Sequence, residues 1–135
     1  LKLGPSVPCR WRRDGWMLAE DDDADVLVLF LQCALFTILR ARGAYPAESF
    51  RRRRVFSGHF LSWWSSCADV ESYVITLCAS LRSAISRESL QRLLLDLHWR
   101  RRGGSERFVV DFPGRRPERP GLERGLGEAL ARLEL

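Results

Sequence analysis

The side chains able to do chemistry are few, and their spacing limits what that chemistry is. Four consecutive guanidinium groups, Arg51–Arg54, run into Val55 and Phe56, and the indoles of Trp63 and Trp64 follow. Arginines beside aromatics are what a nucleic-acid platform uses, with phosphates paired to the cations and bases stacked on the rings. Adjacent guanidinium groups also repel and cannot all find partners inside a protein, so the run is expected as a solvated loop. His59 and His98 are the two histidines, and neither has a Cys or carboxylate at a nucleophile–base spacing. No GxSxG, HExxH, P-loop or GxGxxG occurs. Asp21–Asp23 place three carboxylates side by side. On a helix they diverge, and the glycine and distal glutamate of a calcium loop are missing. Cys9, Cys33, Cys67 and Cys78 show neither CxxC nor zinc-ligand spacing. The expectation is a chain that is not an enzyme, with no metal and no cofactor.

The elements that carry these residues fit one domain. At 135 residues the chain can bury roughly 65–70% of its unfolded surface. An apolar fraction of 46% with 29% charged is globular and not that of a disordered tail. The net charge of +5 comes almost wholly from arginine, since Lys2 is the only lysine, and it permits an acidic partner. The chain begins at Leu1 and its one methionine is Met17. Residues 1–23 are therefore expected as a poorly structured N-terminal segment, with a start at Met17. With no charged-then-apolar leader, a reducing intracellular setting is expected.

The stretch Ala24–Arg42 is the most apolar. Leu27, Phe30, Leu31, Ala34, Leu35, Ile38 and Leu39 fall on one helical face, while Val28, Leu29 and Phe36 spread apolar surface to the others. Acidic residues Glu20–Asp23 and Asp25 suit its start, and Arg40 and Arg42 its end. A membrane span needs about 20 apolar residues. The uncharged run Val26–Leu39 falls short of that and contains Gln32, so a buried core helix is expected. Gly43 and Pro46 close it. Phe60–Trp64 suggests a short irregular strand. Ser66 is expected to cap a second helix whose stripe is Val70, Tyr73, Val74, Leu77, Leu81 and Ile85. Tyr73 there is expected as a core tyrosine with its hydroxyl at solvent. Cys33 and Cys78 are expected as buried free thiols. From Leu90 the period becomes two, and Gly103-Gly104 joins Leu93–Trp99 to Phe108–Phe112 as a hairpin. Leu122, Leu126, Ala129, Leu130 and Leu133 mark a last helix, weakened by Gly125 and Gly127.

Three pieces in this order resemble the HORMA-domain family: ADVL-x-x-FL-x-x-A at Ala24–Ala34, YP-x-x-x-F at Tyr45–Phe50, and RRRRVF at Arg51–Phe56. SC near the second helix, the strand at Leu90–Trp99 and ERFVVDF follow in the family's sequence. The likeness is nearest to the Mad-like type-B subunit of DNA polymerase zeta, and RGAYPAESF is also similar to the spindle-checkpoint branch. The resemblance implies an α+β fold, three helices packed on a β-sheet, spanning residues 24–135 and incomplete where the family continues into further strands and a safety belt. Without that belt the chain is not expected to lock a peptide. It implies an adaptor that captures a short partner peptide by β-augmentation, with Tyr73 at the position of a peptide-contacting tyrosine. Implied partners are the catalytic subunit of DNA polymerase zeta, the Rev-type inserter polymerase and, in animals, the shieldin complex. The setting is translesion synthesis in the nucleus, with nucleic acid met only indirectly and no membrane. Glu128 stands where the family carries an arginine used in self-association, so the resemblance does not extend to homodimerisation. From another class, a basic nucleic-acid-binding module would rest on Arg51, Arg52, Arg53 and Arg54 with Trp63 and Trp64.

Overall fold

The computed structural model describes residues 23–56, 58, 60–101, 103–112 and 119–133. The expected N-terminal segment, apart from Asp23, and His59 lie outside them. The elements in order are α1 (Asp23–Ala41), a 3-10 turn (Ala47–Ser49), β1 (Phe50–Val55), β2 (Phe60–Ser65), α2 (Ala68–Ser80), α3 (Arg82–Ser86), β3 (Arg92–His98), β4 (Ser105–Asp111) and α4 (Arg119–Leu133). The fold is α+β, and its strands form two separate antiparallel hairpins, β1–β2 and β3–β4.

Helix α1 is the axis of the core. Fifteen of its residues, Ala24 to Ile38, are buried, because α2, α3, α4 and β2 all pack on it. Its length and hydropathy would also suit a membrane span, but here those faces are spent on protein. The C-terminal stop is built as expected. Gly43 takes φ +69°, its N–H donates to Arg40 O, and Ala44 N–H reaches back to Leu39 O, the paired bonds of a Schellman cap.

Three expectations are corrected. The Arg51–Arg54 run is not a loop but the middle of β1, paired residue for residue with β2 from Phe50↔Ser65 to Val55↔Phe60. The strand is held by its apolar ends, Phe50 and Val55, both buried, and by the regular partner strand, whose Trp64 packs on Phe36 at 4.6 Å between ring centroids. Ser66 does not cap α2. Its hydroxyl donates to Ser49 O at 2.8 Å, and Cys67 is the residue at the cap. The second helix is not continuous either. It breaks at Leu81, which lets α3 bury Ile85 and brings Arg82 Nε to the buried carboxylate of Asp25 at 2.6 Å.

The β3–β4 hairpin forms with the expected faces. Leu93 and Leu95 are buried, while Leu94 and its cross-strand partner Val109 are exposed. Gly103 and Gly104 supply the positive φ of its turn. The hairpin is tied to the end of α1 by Arg42, whose Nε and Nη2 grip the Glu106 carboxylate at 2.8–3.1 Å. Helix α4 crosses β2 at Gly127, so closely that a Cβ there would stand 2.3 Å from the Phe60 ring.

Candidate functional site

Tyr73 is not a core residue. The face α2 turns inward is Val70, Val74 and Cys78, and Tyr73 stands off it at 61% exposure. Tyr73 and Tyr45, the latter in the turn after α1, line one groove together with Leu77, Leu94 and Leu97. The groove encloses about 350 Å³, with α2 on one side and β3 on the other. Tyr45 and Leu94 are each 41% exposed, so the walls are apolar surface open to solvent. Sequence periodicity missed this, because Tyr73 sits at stripe spacing on a helix whose buried face is narrower than the stripe.

The hairpin register sets which backbone groups face the groove. Phe112 N–H donates to Gln91 O and Trp99 N–H to Gly104 O, so odd positions of β3 bond to β4. Arg92, Asp96 and His98 therefore turn their N–H and C=O to the other edge of β3. Cross-strand ion pairs, Arg92–Asp111 at 2.6 Å and Arg107–Asp96 at 2.7 Å, bracket Leu94 and Val109 on the outer face. The Arg107 hydrogen bonds hold the Asp96 carboxyl below the usual range, and Arg42 does the same to Glu106. A second, larger apolar cavity of about 510 Å³ lies under β4 and α4, where Phe30 and Ile38 of α1 meet Val110, Leu126 and Leu133. Neither Tyr73 nor any of Arg51–Arg54 lines it.

The four arginines do not act alike. Arg52 Cζ stands 4.3 Å from the Trp63 ring centroid, and Arg40 of α1 stands 3.6 Å from the same ring. Arg53 is half-buried over Trp64 at 4.9 Å. Trp64 is 2% exposed and its Nε1–H donates to Glu71 Oε2 at 2.8 Å. The two indoles are thus committed to packing and to cations, and they offer no flat platform for bases. Among the described residues no group of three His, Cys, Asp or Glu converges as a metal site, and Asp21 and Asp22 lie outside them. Cys33 and Cys78 are buried free thiols, as expected, and Cys67 is exposed. Burial pushes the Cys33 thiol up to about 12, with the Ser62 hydroxyl and the Arg53 charge pulling weakly the other way.

Comparison with protein-family models and with curated proteins gives no match to this chain.

Proposed function

We propose that the chain is a HORMA-type adaptor that captures an extended peptide of a partner in the groove between α2 and β3. The reading rests on the sequence resemblance and on one structural observation: the tyrosine to which that resemblance gives a peptide contact is exposed and lines an apolar groove with a second tyrosine. Aromatic walls beside a strand suit an extended, proline-containing segment, which gains main-chain hydrogen bonds at low ordering cost. On this reading the protein is not an enzyme. It is a nuclear accessory subunit of DNA polymerase zeta in translesion synthesis and the DNA damage response. It bridges the catalytic subunit to the Rev-type inserter polymerase, with shieldin as a further partner in animals.

The reading is tested by mapping. A proline-containing segment of the polymerase catalytic subunit, titrated into isotopically labelled protein joined to a C-terminal belt, is expected to shift the resonances of Tyr45, Tyr73 and residues 94–97. Shifts confined to the β1–β2 hairpin, or none at millimolar peptide, would remove the groove from the account.

A further inference from the structure

The apolar cavity of about 510 Å³ has a floor, two walls and one charged group. The floor is the inner face of α1, where Phe30, Ala34 and Ile38 are buried. The walls are half-buried, with Phe108 and Val110 of β4 on one side and Leu126 and Ala129 of α4 on the other. Strand β4 and helix α4 thus stand apart on α1 and leave a slot between them.

The α4 wall is a single helical face. Leu122, Gly125, Leu126, Ala129, Arg132 and Leu133 recur at spacings of one, three and four, so Arg132 continues the apolar stripe one turn beyond Ala129. Arg132 is exposed at the rim and forms no ion pair with the other described residues. Asp111, the one carboxylate among the described lining residues, is already held by Arg92 at 2.6 Å. An apolar interior with a few placed polar groups is the usual make-up of a small-molecule site. Here the polar part is one guanidinium, whose fork matches one carboxylate.

We propose that this cavity binds a free medium-chain fatty acid, with its alkyl chain along α1 between β4 and α4 and its carboxylate on Arg132. At interior packing density, and with about 30 Å³ for each methylene-sized group, the cavity takes a chain of roughly a dozen carbons. The chain supplies most of the affinity and the guanidinium sets its direction, because Arg132 stands in the last turn of α4, where the helix carbonyls compete for its charge. The proposal goes beyond the adaptor reading and uses neither Tyr73 nor the edge of β3.

The test titrates the isotopically labelled full chain with straight-chain fatty acids below their micelle-forming concentrations. Dodecanoate is expected to shift the methyl resonances of Ile38, Val110 and Leu126 saturably and to leave Leu94, in the tyrosine groove, unmoved. Affinity is expected to rise about fourfold with each added methylene and to level off once the chain fills the cavity. Arg132→Ala is expected to weaken dodecanoate about fivefold and to leave dodecanol unchanged, while Arg132→Lys keeps most of the carboxylate binding. Ala129→Phe fills the slot and is expected to abolish binding; if that variant fails to fold, the chain-length series and Arg132→Ala still decide. Three results each overturn the proposal: no saturable shift with dodecanoate, affinity independent of chain length, or equal dodecanoate affinity in Arg132→Ala and the parent protein. Binding to anionic lipid vesicles without binding of monomeric dodecanoate overturns it in favour of a membrane surface.

Discussion

Gly125 and Gly127 lie two residues apart in α4, and alanine at the two positions should act with opposite sign. In a helix interior Gly→Ala gains about 1 kcal/mol of intrinsic propensity. At Gly125 nothing lies within 4 Å of the added methyl, so that gain is realised and the variant is stabilised by roughly 0.5–1 kcal/mol. At Gly127 the new Cβ would stand 2.3, 2.4 and 2.6 Å from Cδ1, Cε1 and Cγ of Phe60. Carbon contacts settle near 3.5–4.0 Å, so the ring or the helix must yield by about an ångström. Cγ lies on the axis of ring rotation, so a χ2 change alone does not clear it, and relief needs a new χ1 for Phe60 in packed surroundings or a shift of the helix. Forced overpacking costs typically 1–3 kcal/mol, which cancels or exceeds the propensity gain. The difference between the two variants isolates that term. Urea unfolding of both, with the slope checked for constancy, reads it directly. Phe60→Ala combined with Gly127→Ala should recover the propensity gain as a coupling between the two sites. If Gly127→Ala is stabilised as much as Gly125→Ala, α4 does not cross β2 as described, and the cavity between α4, β4 and α1 loses its wall.

Other outcomes follow from single contacts. Arg82→Ala leaves the Asp25 carboxylate buried without its charged partner, and a loss of about 3 kcal/mol in unfolding free energy is expected; a loss under about 0.5 kcal/mol would mean water reaches Asp25. The Glu106 carboxyl is held below its ordinary value by the Arg42 hydrogen bonds, so its contribution is fully present above the unfolded carboxylate range, about pH 4.3. It is lost as pH falls through the lower folded value. Amide exchange in β4 should quicken over that acid limb, and Glu106→Gln should flatten it. With Cys9 replaced by serine, alkylation of the native chain at pH 8 should label Cys67 alone, because Cys33 and Cys78 are buried and the Cys33 thiol is pushed up to about 12; labelling of Cys33 without denaturant would contradict the packing of α1 on β2.

Much of the scaffold is written in local pattern. The apolar girth of α1, its glycine stop and the period-two hairpin around Gly103-Gly104 all appear as read, because each is fixed by residues near one another in the chain. What the pattern hides is fixed by distant partners. Strand β1 has no alternation to read: four arginines occupy it, and only pairing with β2 and the burial of Phe50 and Val55 make it a strand. The helix break at Leu81 carries no glycine or proline, and its consequence is a bond from Arg82 to Asp25 across 57 positions. The tether from Arg42 to Glu106 spans 64. Tyr73 shows the same limit at the candidate site. Its spacing on α2 suggests core, and its exposure is decided by which neighbours α2 meets, Cys78 and Val74 on α1 and not the tyrosine.

The claim that this groove captures a partner peptide is tested most directly by the affinity ratio of two proteins. Fluorescence anisotropy with a labelled proline-containing segment of the polymerase zeta catalytic subunit, on the chain joined to a C-terminal belt, gives both dissociation constants. Tyr73→Ala is expected to weaken binding about tenfold or more, the scale of an aromatic contact at an interface centre. Equal dissociation constants for the two proteins would contradict the claim.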